Sequence, residues 1–209
     1  MQAPVLAEQS GLDWSVAARP ISGQSVSGDL HVIKLFENRI LVAVIDGVGH
    51  GDEAAAAARR AAEVLDSYAV ESAISLVKLC HEALLKTRGV VLTVAKLNTA
   101  EHTMTWLGVG NVEGRLLRAA SGASHPRESV LLRGGLVGYQ LPALQAGVIP
   151  LAAGDLLILA TDGIHPAFED GINLKETTRQ IADKIMSRHF KGNDDALVLV
   201  VRYLGSRHE

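Results

Sequence analysis

A single cysteine, Cys80, stands in the 209-residue chain, which excludes a disulfide framework within one copy and a thiolate zinc site built from it. Aromatic residues make up only 4%, so the core has to come from Ala, Val, Leu and Ile in close contact, the material of layered strands and helices. A large excess of charge of one sign is missing as well. The formal net charge is -3 and the pI near 6.2, which leaves no electrostatic reason to expect nucleic acid or an acidic membrane as partner. No apolar run approaches the roughly 18 residues that span a bilayer, and the N-terminus, MQAPVLAEQSGLDW, has neither the basic start nor the apolar stretch of a leader. These absences predict a cytoplasmic chain. The length predicts a single domain over 1–209, with its core from about 12 to 203.

Strands and helices are both well marked. LDWSVAARP (12–20) alternates as a half-buried strand does, and the Ser/Gly-rich connection ISGQSVSG follows it. GDLHVIKLF and RILVAVIDG read as two strands joined by a tight turn at Glu37-Asn38. A helix is expected over 50–69, with Asp52 and Glu53 in its first turn and alanines that allow close packing. A second is expected over 72–87, with Ile74, Val77, His81 and Leu84 on one face. Strands return at VVLTVAKLN, HTMTWLGVG, GRLLRAA, SVLLRG and DLLILAT. A helix over 174–189, with Leu174, Thr178, Ile181 and Ile185 on one side, precedes a last strand, ALVLVVRYL, apolar enough to be buried on both faces. Strands in runs with grouped helices predict an α+β fold: two antiparallel β-sheets flanked by helices.

Acidic residues recur where strands end or glycine turns the chain: Ser27-Gly28-Asp29, Ile45-Asp46-Gly47, Thr161-Asp162-Gly163 and Gly192-Asn193-Asp194-Asp195. Carboxylate oxygens are the ligands that hard divalent cations prefer, and a cluster of aspartates repels itself unless cations sit between them. Each Asp-Gly pair alone reads as an ordinary turn. The glycine-rich stretch 47–51 is a strand-to-helix connection or an anion cradle, and it is not a P-loop, because no GK[ST] follows. The signal lies in the combination and its order.

That combination resembles a family. Asp29 on an early strand, AVIDGVGHG, LLILATDGI and GNDDALVLVV together look like the metal-dependent serine/threonine protein phosphatases of the PPM class. The GHG followed by an acidic, alanine-rich helix resembles the SpoIIE-type branch. The phrase LGVGNVEGRLLR, where many of that branch carry a GHPP-like motif, is similar to the small feedback phosphatases of the stressosome. The likeness runs from about residue 12 to 203 and implies the αββα sandwich typical of the class.

It also implies roles. Asp46 would bridge two Mn²⁺ or Mg²⁺ ions, with the carbonyl of Gly47 on one of them and Asp29 as the acidic ligand on that side. Asp162 and Asp194 would hold the other ion, and Asp195 would be an outer-shell partner or alternate ligand. A third, weaker ion is implied as well, with Asp162 as its one assignable ligand. Asp46 and Asp162 would carry the catalysis, a metal-assisted hydrolysis by water without a covalent intermediate. The residues agree: there is no G-x-S-x-G elbow, and Cys80 is followed by HEALLKT, without the arginine of a cysteine-phosphatase loop. Two features depart from relatives of the eukaryotic type. His50 comes two residues later than the histidine of DGHGG, which leaves it as general acid or turn organiser. No arginine stands just ahead of Asp29, so Arg19 is the candidate for binding phosphate.

The implied substrates are phosphoserine or phosphothreonine on STAS-domain proteins of the stressosome. The competing readings are a phosphatase for a single anti-anti-sigma factor, a pseudophosphatase that binds without metal, and a small-molecule phosphoesterase. The expected state is a monomer with no nucleic-acid or membrane partner.

Overall fold

Strand β3 (Arg39–Gly47) shows why the chain folds in four layers. Its side chains alternate between two apolar surroundings, with Ile40, Val42 and Val44 in one cluster and Leu41, Ala43 and Ile45 in another. A strand that is apolar on both faces needs a covering layer on each side. The computed structural model, which describes residues 11–120 and 125–205, supplies both. The N-terminal reading therefore lies, up to residue 10, outside the described residues.

One sheet runs in the order β2 (Asp29–Phe36), β3, β4 (Val90–Asn98), β5 (Thr103–Val109), β8 (Leu132–Arg133), with β9 (Gly147–Pro150) also paired to β5. The other runs β1 (Leu12–Arg19), β11 (Ala196–Tyr203), β10 (Leu156–Ala160), β6 (Glu113–Leu117), β7 (Arg127–Ser129). Between them lies a core that includes Val42, Val44, Leu97, Leu157, Leu199 and Tyr203. Helices α1 (Asp52–Ser67) and α2 (Ala73–Leu84) cover the outer face of the first sheet, and α3 (Thr178–His189) covers that of the second. The αββα sandwich is the fold expected from the element order. Truncating an inner residue such as Leu199, fully buried, to alanine costs about 2–5 kcal/mol.

The structure corrects the strand reading in three places. SVLLRG does not form one strand: β7 ends at Ser129 in one sheet and β8 begins at Leu132 in the other. Here the chain crosses the sandwich, with Val130 buried at the crossing. The short β5–β8 pairing is parallel, so the first sheet is not wholly antiparallel. Strand β9, absent from the expected strands, pairs antiparallel with β5.

The helices start later than their patterns suggest. Gly51 takes φ 79, so the chain turns through Gly49-His50-Gly51 before α1 begins at Asp52. Thr177 caps α3 by a reciprocal pair of hydrogen bonds with Gln180, which fixes the start at Thr178 and leaves Leu174 outside the helix though still packed on its core. On α2 the buried side is Ala73, Leu76, Val77, Cys80 and Leu84, with Ile74 and His81 at its margins. His81 there accepts a hydrogen bond from the Gly138 amide (3.0 Å). Among the described residues no helix is long and apolar enough to cross a membrane.

Candidate metal centre

The period-two rows that build the inner core also place the polar residues at its mouth. On β3 the inner row runs Ile40, Val42, Val44 and then Asp46, and on β11 the row Val201, Leu199, Leu197 reaches Asp195. Leu157 and Leu159 on β10 lead to Thr161, and Ile33 and His31 on β2 lead back to Asp29. Register does the rest. Asp29 lies opposite Asp46 across β2 and β3, and Arg19 opposite Ala196 across β1 and β11. Acids from both sheets therefore meet at one end of the sandwich.

Buried hydrogen bonds fix the inner part of this end. Thr161 (1% exposed) joins the sheets: its hydroxyl donates to Asp29 Oδ2 (2.7 Å) and accepts from the Leu197 amide (2.8 Å). Asp195 (3% exposed) accepts from the Ile21 amide on Oδ1 (2.7 Å) and from the Gly28 amide on Oδ2 (2.6 Å). These two bonds hold the loop between β1 and β2. Asp194 Oδ1 accepts from the Asp195 amide (2.8 Å). Asp162 is half-buried, with Asn111 Nδ2 donating to its Oδ2 (2.7 Å) and Lys191 Nζ to its carbonyl (2.6 Å).

The glycines of the two Asp-Gly pairs are required by close approach. A Cβ on Gly47 would stand 2.2 Å from the Ala54 carbonyl oxygen in the first turn of α1, and one on Gly163 would stand 2.0 Å from the carbonyl oxygen of Asp195. The Gly47 amide donates to the Gly28 carbonyl (3.1 Å), which ties the end of β3 to the start of β2.

Burial and crowding set the electrostatics. Burial pushes the Asp46 carboxyl up to about 8, with Asp29, Asp162, Asp194 and Asp195 each adding repulsion. Burial likewise pushes Asp29 up to about 7, against the opposing hydrogen bond from Thr161 and reinforced by Asp195, Asp194 and Asp162. Asp194 is raised too, mainly by burial, with Asp162 and Asp195 adding repulsion.

No three acids, histidines or cysteines among the described residues form a ready-made metal cage. The donor set nevertheless fits a hard divalent cation. It consists of carboxylates alone, held so that their ionised forms repel, and such cations complete their shells with water. The thiol is no part of this: Cys80 is buried on α2 and its pKa is pushed up to about 12 by burial.

The remaining candidates sit at the rim. His50 is exposed, with Nδ1 3.5 Å from Gln24 Nε2. Arg19 ends β1 with its guanidinium 5.7 Å above the Phe190 ring. His31 lies against Trp14 between the two edge strands, with ring centroids 5.7 Å apart. Sequence reasoning missed Thr161, Asn111 and Lys191 as partners. Thr161 carried a signal, a hydroxyl continuing the apolar row of β10. Asn111 and Lys191 carried none, because their contact with Asp162 is made only by the fold.

The chain has well-matched relatives. The family described as Stage II sporulation protein E (SpoIIE) matches residues 37–204. The phosphoserine phosphatase RsbX of Bacillus subtilis (strain 168) is 25% identical over 175 residues, covering 83% of this chain and 85% of its own. A solved chain described as "The bacterial stressosome: a modular system that has been adapted to control secondary messenger signaling" superposes with a TM-score of 0.82 at 28% identity, over 91% of this chain and 99% of that one. RsbX solved in complex with magnesium superposes with a TM-score of 0.82 at 21% identity, over 91% of this chain and 94% of its own.

Proposed function

The chain belongs to the SpoIIE family of PPM-class serine/threonine protein phosphatases, and from that premise we propose that it hydrolyses phosphoserine or phosphothreonine on STAS-domain proteins of the stressosome in the cytoplasm. The observation that carries the reading is the meeting of Asp46 and Asp29 from one sheet with Asp162 and Asp194 from the other, close enough that the acids raise one another's pKa. Such a set calls for cations. The substrate class is supported by the likeness to RsbX and to the stressosome chain.

Asp46, at the mouth of the inner core, would bridge two Mn²⁺ or Mg²⁺ ions, with Asp29 and the carbonyl of Gly47 holding one and Asp162 and Asp194 the other. When bound there, such ions supply a water acidic enough to attack phosphorus at neutral pH and offset charge on the phosphoryl oxygens. The chain's own residues do the holding. Thr161 fixes Asp29, Asp195 pins the β1–β2 loop, and α1 packs tightly on Gly47. Arg19 stands at the rim for an incoming phosphate. His50, exposed at the rim, would serve as turn organiser or general acid.

The test is phosphate release from a phosphorylated STAS-domain protein with Mn²⁺ or Mg²⁺, set beside p-nitrophenyl phosphate and nucleotides. The proposal expects metal-dependent turnover on the phosphoprotein well above that on nucleotides. Well-folded protein inert on every substrate with both metals would establish the binding-module reading, and a preference for nucleotides the small-molecule one. Comparing stressosome STAS proteins with an isolated anti-anti-sigma factor separates the two protein substrates.

A further inference from the structure

We propose that Asn111 is a positioning residue of the metal centre: its side-chain amide holds one oxygen of Asp162 so that the other is presented to a cation. The inference rests on the metal-centre reading above and adds a residue outside the four acidic motifs. Asn111 Nδ2 lies 2.7 Å from Asp162 Oδ2. A carboxylate oxygen only accepts, so the amide must face it with its NH₂, and that donor occupies the side of Oδ2 from which an ion would otherwise approach.

An exposed asparagine beside a half-buried acid is often inconsequential. Here both partners are held from behind. Asn111 sits between Gly110, which takes φ 90 and donates its amide to the Arg133 carbonyl (2.9 Å), and Val112, fully buried, whose carbonyl accepts from the buried Thr93 hydroxyl (2.6 Å). A Cβ on Gly110 would lie 2.2 Å from a Val91 methyl, and Val91 is the residue paired with Asp46. The segment that carries Asn111 is therefore seated on the strand beside the bridging aspartate. Asp162 is fixed in turn through its backbone. Lys191 Nζ donates to its carbonyl (2.6 Å), the Lys191 amide donates to the carbonyl of Gly163 (2.9 Å), and Gly163 packs on the backbone of Asp195. With both backbones anchored, the amide–carboxylate bond sets the orientation of the Asp162 side chain. Partners of this kind orient ligands without touching the ion, and their loss typically weakens metal binding about 10–100-fold.

The experiment is calorimetric titration of Mn²⁺ into metal-free protein without substrate, for wild type, Asn111→Ala, Asn111→Leu and Asn111→Gln, with thermal melts of each metal-free protein. The inference expects Ala and Leu to lose Mn²⁺ affinity about tenfold or more, Gln to recover part of the loss, and the metal-free melting temperatures to stay together. Turnover at saturating Mn²⁺ should fall less than the affinity does. Wild-type Mn²⁺ affinity in the Leu variant, or a loss that tracks a lower melting temperature of the metal-free protein, overturns it. Wild-type protein that takes up neither Mn²⁺ nor Mg²⁺ overturns the metal-centre reading and this inference with it. Normal uptake unaffected by all three substitutions overturns this inference alone.

Discussion

Two Asp-Gly corners face each other across the mouth of the sandwich, one from each sheet, and they solve the same steric problem in different electrostatic settings. Asp46-Gly47 closes β3 and Asp162-Gly163 follows β10; in both, the glycine admits a backbone carbonyl that a Cβ would block, that of Ala54 at the first and of Asp195 at the second. The aspartates differ. Asp46 receives no hydrogen bond from a described donor and is held at about 8 by burial and by its acidic neighbours. Asp162 is half-buried, with an amide on its carboxylate and an ammonium on its carbonyl. One carboxylate is left without a described donor and the other is steadied by side chains. A two-cation centre needs both, a shared carboxylate left free of protein donors and terminal ligands whose directions are set in advance.

The sharpest way to break the contrast is to remove the charge at the free corner. Asp46→Asn should lower turnover at saturating Mn²⁺ by at least about 10²–10³-fold, the scale for losing one preorganised electrostatic group. Wild-type turnover in that variant would show that the bridging role belongs elsewhere. The steric likeness of the corners is tested by Gly47→Ala and Gly163→Ala. Each should destabilise the fold by about 1–3 kcal/mol through overpacking, read by chemical denaturation. Gly47→Ala should also weaken Mn²⁺ uptake, because relief of the clash moves α1 against the end of β3. Equal stability of either variant with wild type would show that the close approach relaxes freely.

The electrostatic contrast has a pH signature in the metal-free protein. Asp29 and Asp46 titrate at about 7 and about 8 in the fold, against about 4 in an unfolded chain. The native state thus keeps protons that the unfolded chain has released, and the stability this contributes is complete below about pH 4 and is lost as pH rises through 7 to 8. Melting temperatures of the metal-free protein should fall over that range, and added Mn²⁺ should raise them most at the alkaline end, where the carboxylates are ionised. A metal-free melting temperature that climbs from pH 6 to 8 would contradict the assignment. The smallest effect is expected at the rim. His50→Ala should cost less than about tenfold in turnover, since a general acid contributes about 10²–10⁴. A loss in that higher range with Mn²⁺ affinity intact would make His50 the acid.

The fold and half of the centre were legible before any coordinates. Alternation along RILVAVIDG and ALVLVVRYL fixes which side chains face the second sheet, and the same period carries Asp46 and Asp195 into that row. Legibility fails where the partner is remote in sequence. The split of SVLLRG between two sheets follows from a crossing that has no periodic signature. The place of Asp195 depends on amides more than 160 residues away, and its neighbour Asp194, chemically identical, has a different one.

By itself the sequence determined the layers, because hydrophobic period and strand length are local properties, and its four acidic motifs carried the expectation of hard cations, because carboxylate is the ligand such cations prefer. Only the tertiary structure decided which oxygen of which acid is free. That depends on donors supplied by Thr161, Asn111 and the backbone of Ile21 and Gly28. Hydrogen bonds of this kind are specified by distance and angle, and the closing of two sheets on each other creates both.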